Sequence, residues 1–158
     1  MAKKDAEMNE ELMLEDSASP RVYELGFHID PELPQEEVKK VYQGIRSIIA
    51  GNGAIVAEGE PEQIRLAYTV SRQEHAGRRD FDSAQFAWIA YEAAGEGHAA
   101  IVDAARTETR IFRHLDILTT KDAVRHAAEV REMREKAPEK PEEVSDTELD
   151  AALESAAV

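Results

Sequence analysis

The hydrophobic positions of the chain repeat with two different periods, and these periods predict its secondary structure. Residues 21–29, "RVYELGFHI", are apolar at every second position, which is the period of a β-strand. Residues 35–53 are apolar at the three- and four-residue spacing of an amphipathic helix, and a second helix is predicted over 93–109. A nearly continuous apolar strand is predicted over 86–92, and a last strand over 110–118.

Residues 54–70 predict a further strand in two parts, which a segment with glycine and proline divides. Its later part reads "IRLAYTV", and its apolar set alternates with the other residues. We expect Leu66 and Tyr68 to pack on the core side of this strand, and Arg65 to lie on the other face. The polar residues 71–84 that follow are predicted to form a loop.

The order strand, helix, strand, strand, helix, strand predicts an α+β chain with the ferredoxin-like split βαβ (βαββαβ) fold. This fold has a four-stranded antiparallel sheet with two helices on one face. Right-handed connections give the spatial order 4-1-3-2, so the second strand is an edge that a partner can reach. Trp88 and Tyr91 lie on opposite faces of the third strand, so we expect one in the core and the other at a surface or interface.

The segments on either side of this domain differ from it in composition. Residues 1–20 are predicted to be an acidic disordered extension, residues 21–120 the ferredoxin-like domain, and residues 121–158 an acidic helical or disordered tail. Within the tail we expect a solvent-exposed helix with a weak apolar stripe that includes Val124. A proline-rich linker and a short helix capped by Ser145 are expected to follow.

The charge of the chain limits what it can bind. The 158 residues carry a net charge of −14, but residues 20–121, with 12 basic and 16 acidic side chains, account for only −4 of it. A pI of about 4.8 argues against a nonspecific nucleic-acid binder, although it leaves room for a local basic patch. The absence of cysteine excludes disulfides and thiolate catalysis, and fits a reducing cytosol. The first residues do not resemble a signal peptide, and no apolar run reaches the length of a membrane span.

No motif in the chain predicts an enzyme, a metal site or a bound cofactor. The five histidines lack the spacing of zinc ligands, and the glycines of "GNGAIVAEG" follow a helix instead of opening one. The strand arginines are more informative, because arginine suits bidentate contacts with phosphate. The alternative is that they are solubilising charges paired with acids such as Glu24 and Asp116. The arginines predicted to lie on strands are Arg21, Arg65, Arg110 and Arg113.

Four segments, in order, resemble the bacterial small-subunit ribosomal protein S-six family over residues 21–120. They are "RVYEL" (21–25), "GNGAIVAEGEPEQIRLAYTV" (51–70), "QFAWIAYEA" (85–93) and "ETRIFRHLDIL" (108–118). The chain departs from the family pattern in its longer segment 71–84, its N-terminal extension, and Thr69 in place of a proline.

The resemblance implies a structural constituent of the small ribosomal subunit in the cytoplasm, without enzymatic activity. It also implies binding to the central domain of small-subunit rRNA, cooperatively with the basic ribosomal protein S-eighteen. The alternative from another class is a non-ribosomal ferredoxin-like regulatory or protein-interaction module. Carried over by position, the candidates for the surface that binds RNA or the partner are Arg21, Tyr23, Arg65, Arg110, Arg113 and His114.

Overall fold

The computed structural model describes residues 19–137. The predictions for the remaining N-terminal extension, the proline-rich linker beyond Ala137 and the helix capped by Ser145 lie outside these residues. The described elements, in chain order, are β1 (Arg21–Ile29), α1 (Gln35–Asn52), β2 (Ala54–Glu74), β3 (Gly77–Ala93), α2 (Gly95–Thr107), β4 (Ile111–Thr119) and α3 (Lys121–Lys136).

The four strands form one antiparallel sheet in the order β2-β3-β1-β4. This confirms the predicted ferredoxin-like fold and the predicted order, with β1 and β3 central and β2 at an edge. The long apolar strand β3 pairs with both β1 and β2, as expected for a strand that is buried on both faces.

One face of the sheet is covered by α1 and α2. The amphipathic stripe of α1 and the inner side of α2 join alternate residues of β1 and β3 in a single core cluster. Leu25, Phe27, Ile89, Tyr91 and Ile101 in this cluster are completely buried. Burial of this apolar surface is the main force that holds the two helices to the sheet.

The opposite face, which we call the open face, is partly covered by α3. Val124 of α3 is buried against Trp88 and Ala90 of β3, and Lys121 forms an ion pair with Glu92. The prediction of a solvated helix was therefore wrong at Val124, because the sheet supplies the apolar surface that its weak stripe needs. The first compact unit of the chain extends through Ala128, so this contact lies within it.

The predicted loop over residues 71–84 was wrong, because these residues form a β-hairpin. β2 runs to Glu74 and β3 begins at Gly77, whose φ of 118° suits the tight turn between them. Ser71 donates a hydrogen bond to Asp80 across the hairpin, and Arg78 donates to both of them. Such cross-strand polar pairs stabilise a hairpin without an apolar pattern in the sequence.

Two of the hairpin arginines fasten it to the rest of the domain. Arg79 donates two hydrogen bonds to Asp30, at 2.5 and 2.7 Å, and a third to Glu32. Burial alone would raise the pKa of the Asp30 carboxyl, but the hydrogen bonds from Arg79 lower it below its ordinary value. Arg72 donates to the main-chain oxygens of Thr109 and Ile111. Both arginines therefore have structural partners.

The pairing of β2 with β3 is interrupted near the "LAYT" segment. Arg65 pairs with Ser83 and Val70 with Phe81, so β2 holds three more residues than β3 in this interval. This wide bulge leaves residues 66–69 outside the regular pairing, and Leu66 and Tyr68 line the open face together with Ile64, which pairs with Ala84. The prediction that Leu66 and Tyr68 pack on the core side was therefore wrong: Leu66 is half-buried and the Tyr68 side chain is 62% exposed.

Gly59 lies beneath the Trp88 ring, where a side chain would have no room. A Cβ at this position would lie 2.0 Å from Trp88 Nε1. We expect Gly59→Ala to lower the free energy of unfolding by about 1–3 kcal/mol, because the indole would have to move. Chemical denaturation measures this. Gly44→Ala is the control, because no atom lies within 4 Å of its added Cβ and alanine favours a helix. Equal effects of the two changes would contradict the explanation.

Candidate partner and nucleic-acid surface

A concave surface lies on the part of the open face that α3 leaves uncovered. We call it the open-face groove; its volume is about 400 Å³. The bulged segment 64–68 forms one wall, β4 forms the opposite wall, and residues of β1 with Phe86 of β3 form the floor. The wide bulge in β2 thus shapes a site that a regular strand would leave flat.

The walls of the groove expose large apolar side chains. Leu115 is 67% exposed and Ile117 46% exposed, both on the β4 wall, and Tyr68 faces solvent on the bulge. Arg113, Leu115 and Ile117 are alternate residues of β4, so they share one face of the strand. Neighbouring exposed apolar groups in a concave surface are typical of a site for macromolecular contact.

Two arginines, Arg65 and Arg113, line the groove. The Arg113 guanidinium carbon lies 5.5 Å from the centre of the Tyr68 ring, which is a cation–π distance. The Arg65 side chain is exposed and makes no hydrogen bond or ion pair with another described residue, but Arg65 pairs with Ser83, so by alternation its side chain lies on the helix side. Glu24 also lines the groove and supplies a carboxylate there. The groove therefore combines apolar surface with the Arg113 guanidinium.

His28 belongs to the floor of the groove and packs against aromatic rings. Its ring centre is 5.7 Å from that of Phe86 and 5.6 Å from that of Phe112. Its Nδ1 atom is buried and has no hydrogen-bond partner among the described residues. Burial, assisted by the charge of Arg113, lowers the pKa of His28 below its ordinary value of 6.5. The folded protein therefore favours the neutral imidazole.

This lowered pKa predicts a contribution of His28 to acid sensitivity. As the pH falls below about 6.5, the unfolded chain protonates His28 before the folded chain does, so this residue reduces stability. We expect His28→Phe to lose less stability than the unchanged protein between pH 7 and pH 5. Thermal unfolding of both proteins across this range measures the difference. A constant gap in Tm at all pH values would contradict the prediction.

Other predicted site residues lie apart from the groove. Tyr23 lies on the helix side of the sheet, where its ring stacks on His98 with 3.8 Å between ring centres. Arg110 donates to Glu108 and to Glu37 of α1, which makes it a link between elements. Arg21 begins β1 and has an interaction partner in the fold.

His114 lies on the opposite face of β4 from Arg113. It lies next to Arg113 and lines part of the groove, but it pairs with Phe27, whose side chain is in the helix-side core. By the alternation of the strand, its side chain therefore lies on the helix side. Among the six predicted candidates, Arg65, Arg113 and His114 line the groove, but by this alternation only Arg113 directs its side chain to the open face, because Arg65 pairs with Ser83 on the helix side. The assignment of all six to RNA or partner binding stays a prediction.

A partly buried polar network joins α2, β3 and β4 on the helix side. Asp116 accepts a hydrogen bond from the Tyr91 hydroxyl at 2.9 Å, and its other oxygen lies 2.5 Å from His98 Nε2. Burial and the nearby Asp116 carboxylate raise the pKa of Tyr91. Because Tyr91 is completely buried, this acceptor satisfies a hydroxyl that water cannot reach. The network is structural, and Asp116 is held in it instead of pairing with a surface arginine.

Sequence reasoning missed the apolar half of the site. Leu115 and Ile117 follow Arg113 by two and four residues, so the alternation of β4 could have placed them beside it. Tyr68 shares the parity of Ile64 and Leu66, but that parity does not show which face of the sheet the apolar set of an edge strand occupies. Among residues 19–137, no group of three histidine, aspartate or glutamate side chains is arranged to hold a metal ion. No helix in that range has the length and apolar character needed to cross a membrane.

Comparison with known proteins identifies the family. The family model described as Ribosomal protein S6 matches residues 22–117, which is more than half of the chain. The crystal structure of 30S ribosomal protein S6 from Thermotoga maritima superposes with a TM-score of 0.54 at 19% identity, covering 71% of this chain and 98% of that one. An uncharacterized protein from the same organism gives a TM-score of 0.34 at 10% identity, covering 64% and 99%. A search of curated proteins finds no match.

The structural match supports the fold, and the family match covers all of the segments that carried the resemblance except their outermost residues. Members of this family are structural constituents of the small ribosomal subunit. The chain therefore belongs to the ribosomal protein S6 family.

Proposed function

We propose that this protein binds the central domain of small-subunit rRNA cooperatively with ribosomal protein S-eighteen, on ribosomes in the cytoplasm. The observation that carries the proposal is the open-face groove, where Arg113 lies beside exposed apolar side chains and Arg65 belongs to the bulged wall. A surface of this kind suits a composite partner, because the apolar groups fit a protein and the guanidinium groups fit phosphate. The two candidate roles thus occupy one continuous surface.

The charge of the chain supports the participation of a second protein. A net charge of −14 opposes approach to an RNA backbone, and affinity for RNA depends on how many phosphates basic groups neutralise. Two arginines alone supply few such contacts. A basic protein in the groove would offset part of the negative charge and add phosphate contacts of its own. We therefore expect weak binding of the isolated protein to RNA and strong binding of the pair.

Filter binding to a central-domain rRNA fragment, at fixed salt, tests this proposal. We expect saturating S-eighteen to strengthen the binding of this protein at least tenfold. S-eighteen alone, titrated on the same fragment, is the control that separates cooperative from independent binding. Equal affinity of this protein with and without S-eighteen would contradict the proposal. Repetition at two salt concentrations should give a steeper salt dependence for the pair, since more phosphates are then contacted.

A further inference from the structure

The two edges of the sheet differ in how well they could accept another strand. β2, at one edge, loses its register with β3 at three places, the last of which is the wide bulge. It also contains Pro61, which has no main-chain N–H to donate. Bulges and proline are the features by which natural proteins keep edge strands from pairing with other chains. The β2 edge is therefore protected.

β4, at the other edge, has none of these features. Its residues from Arg113 to Thr119 pair in unbroken register with β1, and the strand contains neither glycine nor proline. Within the described part of the chain, no strand pairs with its outer side. In an antiparallel strand, alternate residues direct their main-chain N–H and C=O groups away from the paired neighbour. β4 thus presents a regular row of main-chain donors and acceptors.

The side chains along this edge are apolar on both faces of the sheet. Leu115 and Ile117 belong to the open-face groove, whereas Leu118 is 62% exposed and, by alternation, lies on the helix side. A strand placed beside β4 would bring its own side chains opposite these residues on each face. Docking on the open face alone would leave Leu118 uncovered.

We propose that the outer edge of β4, over Arg113–Thr119, accepts an extended segment of a basic partner protein as a fifth strand of the sheet. The unpaired main-chain groups of β4 can form hydrogen bonds with another strand, which RNA cannot supply. Apolar residues at alternate positions of that strand would pack against Leu115 and Ile117. The charge of this chain favours a basic partner, because two copies at −14 each repel one another. The proposal rests on the proposed function in taking S-eighteen as the protein that supplies the segment.

Amide hydrogen exchange followed by NMR on the full chain, with and without S-eighteen, tests the inference. Binding should slow the exchange of alternate amides over Arg113–Thr119 at least tenfold, and leave the amides of residues 64–70 in β2 less affected. If S-eighteen binds without slowing these β4 amides, the inference is overturned and the proposed function stands. Failure of S-eighteen to bind at all, measured by calorimetry, overturns both. Protection of β4 without a partner, in a sample that sediments as a dimer, would show that a second copy occupies the edge and would also overturn the inference.

A pair of variants separates edge pairing from docking on the open face. Leu118→Lys changes the edge outside the groove, so we expect S-eighteen to bind it at least tenfold more weakly. Ile48→Lys is the control, because Ile48 is also a partly exposed apolar residue of the helix side but belongs to α1. It should change affinity less than twofold. Circular dichroism and Tm establish that both variants fold, and equal affinities of the two would overturn the inference.

Discussion

Asp116→Ala should lower the free energy of unfolding by about 3 kcal/mol, which is a large part of the stability of a small domain. The Asp116 carboxylate is the acceptor for the buried Tyr91 hydroxyl and the partner of His98. Alanine would leave that hydroxyl without an acceptor in a place that water does not reach, and an unsatisfied buried group costs about 1–3 kcal/mol. Loss of the contact between His98 of α2 and β4 adds to this cost.

Urea denaturation, followed by circular dichroism, measures this effect. Asp103→Ala is the matched control, because Asp103 also pairs with a basic side chain, Arg106, but both are largely exposed. Its effect should stay within about 0.5 kcal/mol, as is usual for exposed ion pairs. Asp116→Asn keeps an oxygen that can accept from Tyr91 and should fall between the two. An Asp116→Ala variant as stable as Asp103→Ala would show that the network is not needed for stability.

Arg65→Glu combined with Arg113→Glu should weaken the assembly of this protein with rRNA and S-eighteen about 100-fold. Each arginine is expected to contribute about 1.4 kcal/mol through phosphate or carboxylate contacts, which is tenfold in affinity for each. Neither side chain forms an ion pair with another described residue, so their reversal should leave the fold intact. Binding to the central-domain fragment with S-eighteen present measures the effect.

Arg78→Glu combined with Arg106→Glu is the control for total charge. These two arginines are 69% and 72% exposed and lie on the hairpin and on α2, away from the open-face groove. The control changes the net charge by the same amount, so it has the same general repulsion from RNA as the test variant. We expect it to weaken assembly less than tenfold. Equal losses in the two double variants would mean that the groove arginines act only through total charge.

The fold was predictable where apolar periodicity and burial agree. The alternation of 21–29 and the helical spacing of 35–53 gave β1 and α1 almost to the residue, because each buries one face against the common core. From these elements the connection rules led to the observed strand order.

The hairpin over 71–84 was not predictable in the same way, because polar contacts and one buried ring, Phe81 stacked on Phe112, hold it. Arg79 forms hydrogen bonds with Asp30, which is 49 residues away in the chain, and no local sequence pattern predicts such a pair. The wide bulge had a similar effect on the candidate site. Alternation separated Tyr68 from Arg65 but did not show which face of the sheet each occupies: Tyr68 lies with Ile64 on the open face, beside Arg113, where β2 holds three surplus residues. A single sequence does not reveal the register of an edge strand, because that register depends on the pairing with the neighbouring strand.

The burial of Trp88 beneath α3 has a practical consequence. It is the single tryptophan of the chain, it is 8% exposed, and it packs against Val124 and Gly59. Intrinsic fluorescence therefore reports from one known position between the sheet and the start of α3. Indole emission shifts to longer wavelength when water reaches the ring, so detachment of α3 would be visible separately from loss of helical circular dichroism. The protein thus carries its own optical probe for whether this helix leaves the sheet when a partner arrives.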